Sequence, residues 1–209
     1  MADFAGWPED FQRFFIGLEL DNSRSYFAAN KKVYDEAVRA PMEALMASLE
    51  PEFGPAKIFR INRDLRFSAN KTPYKTNIAA VVGMESGGGY LSLDARGLMV
   101  ASGRYEMDPA TLRRYREAVA ADSPGSELQE IVDRLEAKGY TIGGEELKRV
   151  PPGYPADHPR ARLLRHKRIY AWKMLGLQPW LGSSQAREHV VAGWREVEPL
   201  NRWSARYLG

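Results

Sequence analysis

The chain carries 209 residues, 44% of them apolar and 11% aromatic, with a net charge of +3. This composition supplies a real core and argues against disorder, and the length suits a single domain over residues 1–209. The absence of cysteine excludes disulfides, thiolate metal sites and cysteine nucleophiles. With three histidines in all, His158, His166 and His189, neither a metal centre nor a cofactor is expected.

The opening MADFAGWPEDF has acids where a secretory leader needs a basic start and an apolar run. No apolar run approaches the roughly 20 residues that cross a bilayer. A soluble cytoplasmic protein without a membrane partner is the expectation.

In chain order, Trp7, Phe11, Phe14, Phe15 and Leu18 recur at helical spacing and predict a first helix starting near Pro8. Asp21-Asn22-Ser23 ends it and caps a second helix carrying Tyr26 and Phe27. Val33, Val38, Leu45, Met46 and Leu49 continue the helical pattern, with Pro41 kinking it or starting a fresh helix, and Pro51 to Pro55 read as the exit loop. Phe59, Ile61, Leu65 and Phe67 then alternate with Arg60, Asn62, Asp64 and Arg66, the period of a half-buried strand. Ile78–Val82 is a short apolar strand, Met84–Gly89 a flexible turn, and Tyr90–Asp94 with Leu98–Ser102 a hairpin about Ala95-Arg96-Gly97.

Helices return after the sheet. Asp108-Pro109 and Ser123-Pro124 read as two cap-and-first-turn starts, the second helix stopping at Gly139. A Pro- and Gly-rich loop, Val150–Pro159, leads into a basic helix through Leu163 and Leu164. Ser183-Ser184 reads as a cap of the last helix, which buries Val190, Trp194 and Val197 and restarts at Pro199. The fold class is therefore α+β, with an antiparallel sheet of about four strands in the middle of the chain, packed by N-terminal and C-terminal helices.

The charge is segregated. Residues 57–75 hold Lys57, Arg60, Arg63, Arg66, Lys71 and Lys75 against Asp64 alone, a local charge of +5. Residues 148–173 hold eight cations against Asp157, a local charge of +7, so the remainder is strongly acidic. Such segregation speaks of partners rather than of fold. Arg60 and Arg66 would stand about 20 Å apart along a strand and so would not grip one phosphate unaided, whereas Arg66 and Asp64 would be close enough to pair. Two readings of this stretch stand: a strand decorated with ion pairs, or an anion-binding face. The loop Ser68–Thr76 adds two ammoniums, hydroxyls and the Tyr74 ring, and turn amides of this kind form anion-binding concavities. It is not a G-x-x-x-x-G-K-[ST] loop.

The run Arg60-Ile-Asn-Arg63-Asp64-Leu-Arg66-Phe67-Ser68, followed by Lys71-Thr72-Pro73-Tyr74-Lys75-Thr76, resembles the signature of a widespread microbial family, the domain of unknown function numbered 2461. Asn22-Ser-Arg24-Ser-Tyr26-Phe27-Ala-Ala-Asn30-Lys31 is similar to its N-terminal motif, and Pro151–Pro159 to its downstream loop. At Tyr26 the family pattern more often shows Trp, so the aromatic contact is kept and an indole donor is lost. The resemblance implies a fold and a candidate surface, without an activity.

Asn22, Arg24, Arg60, Arg63, Arg66, Lys71 and Lys75 are therefore expected to line one concave surface that takes a phosphate-type or other anionic ligand, with arginine forks matching its oxygens. An enzymatic reading makes Asp64 a general base and Tyr74 or His158 a proton donor, acting without a metal on a phosphorylated or nucleic-acid substrate. His158 also has a plainer reading, in which Asp157 caps a helix and His158 is incidental. In a nucleic-acid groove, Tyr74 would stack a base. A third reading has the basic segments docking an acidic protein partner.

Overall fold

The computed structural model describes residues 3–66, 69–83, 88–144 and 146–209. Phe67 and Ser68 of the basic run, and Met84–Gly87 of the glycine turn, lie outside the described residues. The fold is α+β around an antiparallel sheet of six strands, β1 (Ala56–Ile58), β2 (Asn77–Val82), β3 (Gly89–Asp94), β4 (Gly97–Arg104), β5 (Thr141–Gly143) and β6 (Ile169–Gly176), in the order β1-β2-β3-β4-β6-β5. Three of these coincide with the expected strands. The expected strand over 59–67 does not form across its described part, 59–66, while β1, β5 and β6 are additional. β6 escaped the sequence pattern because Lys167, Arg168 and Lys173 surround and interrupt its apolar residues. No helix among the described residues is long and apolar enough to cross a membrane.

The chain packs as two compact units. The first comprises residues 1–83, 90–100 and 174–192. Its α1 (Asp10–Leu20) buries Phe11, Phe14, Phe15 and Leu18 of the stripe read from the sequence, while Trp7, the first of that stripe, is buried ahead of the helix. In α2 (Arg24–Ala29) Ser23 is the N-cap, its hydroxyl accepting from the Tyr26 amide. The next helix opens as α3 (Lys31–Val33), widens into a π-helical turn over Tyr34–Arg39, and continues as α4 (Ala40–Phe53). Pro41 lies where the π-helical turn ends: it has no N–H for the carbonyl one turn back, and the preceding Ala40 amide donates to Asp35 O, five residues back. Pro51 is held inside the last turn of α4, so the exit loop starts at Gly54 rather than at Pro51. Between β3 and β4, Asp94 binds both the amide and the guanidinium of Arg96, and Gly97 at φ +108° completes the turn.

The second unit comprises residues 84–89, 101–173 and 193–209. Its core joins Tyr115, Val119, Leu128, Ile131, Val132 and Leu135 to Leu163, Leu164, Val197, Leu200 and Trp203. Asp108 caps α5 (Pro109–Ala120) through the Thr111 amide, as expected. By contrast, α6 (Asp122–Ala137) has no side-chain cap, so Ser123 does not serve as one. The basic helix shrinks to α7 (Ala161–Leu164), a single turn. The last helix, α8 (Gln185–Leu208), runs through Pro199 without restarting; Val197, Leu200 and Trp203 are fully buried around that point, and their packing compensates for the missing N–H.

Two arginines close helix C-termini in this unit. Arg114 donates to Leu208 O at the end of α8, at 2.7 and 3.0 Å. Arg160, 8% exposed, donates from Nε to Val119 O at 2.7 Å and from Nη2 to Ala120 O and Ala121 O, both at 3.1 Å. Each guanidinium meets the orphan carbonyls and the negative end of a helix dipole.

Candidate functional site

The basic stretch leaves the sheet almost at once. The Phe59 amide donates to Ala79 O and extends the β1–β2 ladder by one bond; Arg60–Arg66 then turn away. Their pairing is reduced to a single antiparallel bridge, Asn62 to Tyr74, with Arg63 N donating to Pro73 O and Lys75 N to Ile61 O. Phe59 is half-buried and Ile61 buried while Arg60 and Asn62 are exposed, but Leu65 is 37% exposed and Asp64 is no more exposed than its neighbours, so the alternation stops at Asn62. The loop gives the cations acceptors that a strand would not: Lys71 Nζ donates to Leu65 O at 2.9 Å, and Lys75 Nζ to Arg60 O at 3.0 Å. Pro73, which has no amide to donate, suits such a loop better than a ladder.

Asn22 holds this loop to the N-terminal motif. Its Oδ1 accepts from Tyr74 N at 3.0 Å and its Nδ2 donates to Tyr74 O at 3.2 Å, so one amide side chain does for Tyr74 what a neighbouring strand would do. Arg63 Nη2 donates to the same Tyr74 carbonyl at 3.2 Å. The Tyr74 ring is buried and stacks on Phe27, centroids 4.3 Å apart and 15° between planes. Two of the motifs are thus brought together. Tyr26 supplies a donor even without an indole: its hydroxyl donates to Phe14 O at 2.9 Å.

The expected site residues separate by role. Asn22 and Arg63 secure the loop. Arg66 grips Asp64 in a fork, Nε to Oδ1 at 3.0 Å and Nη2 to Oδ2 at 2.8 Å. That fork, with the Arg66 amide and then Arg60, holds the Asp64 carboxyl below the usual carboxylate range. Lys71 is spent on Leu65 O. Arg24 is exposed at the first residue of α2 and makes no side-chain hydrogen bond or ion pair among the described residues. Arg60 and Lys75 line a shallow depression of about 460 Å³ together with Lys57, Ile58, Phe59, Asn62 and Asp64. The ammoniums of Lys57 and Lys75 stand 5.8 and 5.6 Å from the Phe59 ring centroid. Burial first, then the nearby Arg60 and Arg63 guanidiniums, push the Lys75 pKa below its usual value. Lys57 was missing from the expected set, although it stands first in the basic run.

The catalytic expectations fare differently. Tyr74, stacked on Phe27, is 8% exposed and is not placed to stack a base. Asp64 and Tyr74 belong to the first unit and His158 to the second. His158 Nδ1 accepts from Arg160 N at 3.0 Å, and its carbonyl accepts from Ala161 N. His158, rather than Asp157, organises the turn before α7: the helix starts at Ala161 with Arg160 at its N-cap position, three residues beyond Asp157.

Of the other histidines, His189 stacks on Trp180, centroids 4.0 Å apart. His166 is 0% exposed, with both ring nitrogens lacking a hydrogen bond among the described residues and Nε2 3.6 Å from Glu146 Oε1. Burial, reinforced by Arg162 and Arg165 and opposed by Glu146 and Glu136, lowers its pKa. In the unfolded chain the imidazole takes up a proton near pH 6.5, but in the folded chain only at lower pH. Between those values the unfolded state binds more protons, so this contribution falls as pH falls. Denaturation midpoints at pH 7.5 and 5.5 should differ less in His166→Leu than in the wild type. An unchanged difference would show that His166 does not titrate in this way.

No curated protein and no solved structure matches the chain. Residues 10–203 match the family model described as a conserved hypothetical protein (DUF2461), and the chain belongs to that family.

Proposed function

We propose that the depression beside β1 binds a phosphate-type anion through Arg60, Lys75 and Lys57. The observation that carries this reading is the imbalance of charge. Three cations line the depression, while its one carboxylate, Asp64, is already held in the Arg66 fork. Burial is the first cause of the depressed Lys75 pKa, and repulsion from the Arg60 and Arg63 guanidiniums adds to it. A bound anion removes that repulsion. Arg60 supplies paired donors to two oxygens and the lysines supply point charges. Asp64 in this reading orients Arg66 and stays ionised, which leaves it a weak base. The role is binding, and it requires no chemistry from Tyr74 or His158.

Arg60→Ala is the direct test. Its side chain is 69% exposed and its one ion pair among the described residues, to Asp64, is long at 3.9 Å, so its removal should cost the fold little. Calorimetric titration with inorganic phosphate and pyrophosphate at low ionic strength should show saturable one-to-one binding in the wild type. The affinity should fall roughly 10- to 100-fold in Arg60→Ala, the loss expected for charge-assisted hydrogen bonds. If neither anion binds, or if Arg60→Ala binds as the wild type does, the proposal is wrong.

A further inference from the structure

The second basic segment builds a depression of its own, entirely within the second unit and independent of the site proposed above. It measures about 500 Å³, and Lys148, Arg149, Arg162 and Arg165 line it with Val150, Tyr154, Ala156 and Ala161. Cations and apolar groups are both present, which differs from a uniformly charged surface.

The charge count is specific. Arg162 Nη2 is paired with Glu136 Oε1 at 2.6 Å, and Arg165 Nη2 with Glu146 Oε2 at 3.3 Å. Lys148 and Arg149 are exposed and have no carboxylate partner among the described residues. Four lining cations against two carboxylates leave two positive charges uncompensated, which is the charge that a phosphate monoester neutralises at about −1.5 to −2 near pH 7. Arg165, whose side chain is 34% exposed, also lines the depression, and a guanidinium suits a phosphate oxygen. The half-buried Tyr154, with Val150, Ala156 and Ala161, offers the surface on which an apolar or aromatic body can lie.

We propose that this second depression binds an organic phosphate monoester, its phosphate on Lys148, Arg149 and Arg165 and its apolar body against Tyr154. The phosphate head alone would satisfy the cations, but it would leave the apolar lining in water. The site should therefore prefer a phosphate carrying an aryl or alkyl group over inorganic phosphate.

The test uses the full chain labelled with nitrogen-15, titrated with phenyl phosphate and with inorganic phosphate at low ionic strength while amide shifts are followed. Phenyl phosphate should shift the amides of residues 148–165 saturably, and about tenfold more tightly than inorganic phosphate. Lys148→Ala combined with Arg149→Ala changes two exposed residues, so the fold should persist. This double variant should weaken both probes at least about tenfold at 148–165 without affecting shifts at 57–75. Tyr154→Ala should abolish the preference for the phenyl ester. In Arg60→Ala the 148–165 response should persist, which separates failure of the first site from failure of this one. The proposal is overturned if phenyl phosphate leaves 148–165 unshifted, if the two probes bind equally tightly, or if the double variant binds as the wild type does.

Discussion

Replacing Arg160 by methionine is expected to destabilise the second unit by about 3 kcal/mol, a fall of about 6–12 °C in Tm for a chain of this size. The guanidinium of Arg160 donates to three successive carbonyls, Val119 O, Ala120 O and Ala121 O, where α5 ends. Methionine fills much of the same volume but donates nothing, so acceptors shaped around a cation lose it. Each hydrogen bond to a charged group contributes about 1.5–3 kcal/mol, and the three are not additive. The ion pair to Asp122 hardly enters, because it spans 3.9 Å and that carboxylate is fully exposed. Gly125→Ala should cost at least as much. A Cβ there would lie 2.2 Å from Val119 O and 2.4 Å from Arg160 Nε. Arg160→Met should not rescue it, since the clash with the Val119 carbonyl remains. A loss below about 1 kcal/mol in Arg160→Met, by chemical denaturation, would mean that water serves these carbonyls equally well.

The legible features are those that a few neighbouring residues decide. The α1 stripe, the Ser23 and Asp108 caps, and the Ala95-Arg96-Gly97 turn each depend on partners within a few positions, and each forms as read. The misreadings share the opposite property. Alternation over 59–67 is a local pattern, but the pairing that settles this stretch comes from Tyr74, and the residue that fixes Tyr74 is 52 positions away at Asn22. Arg160 reads as one more surface cation because the helix end it closes is 41 positions upstream, and Arg114 reaches 94 positions to α8. Arginine in particular hides its role in a sequence. The same side chain pairs with a carboxylate in Arg66, caps a helix in Arg160 and faces a depression in Arg60, and only the acceptors distinguish these. That Asn22 and Arg63 hold the loop while Arg60 and Lys75 line the depression was not legible, because it depends on which backbone carbonyls come within reach.

Asn22→Ala should release the basic loop without unfolding the first unit. It removes both bonds to Tyr74; Arg63 still serves the carbonyl, but the buried Tyr74 amide is left without an acceptor. One stranded buried donor and one lost bond amount to about 2 kcal/mol. The cost falls on the loop, because Tyr74 keeps its stack on Phe27 and the α1 and α4 cores are untouched. The amides of Arg63 and Lys75, bonded across the loop to Pro73 O and Ile61 O, should therefore exchange with solvent about 30-fold faster, while amides of β2 and α1 are little changed. Arg60 and Lys75 both lie on the released segment, and Asn22 makes no hydrogen bond to either among the described residues, so a fall in phosphate affinity in this variant would report lost preorganisation rather than a lost ligand contact. Asn22→Asp gives the contrasting case. Its carboxylate still accepts from the Tyr74 amide but faces the Tyr74 carbonyl where Nδ2 had donated, so it should protect the Tyr74 amide while leaving the loop weaker than in the wild type. If Asn22→Ala leaves exchange at Arg63 and Lys75 unchanged, the Arg63 and Phe27 contacts alone fix the loop, and the Asn22 side chain is dispensable to it.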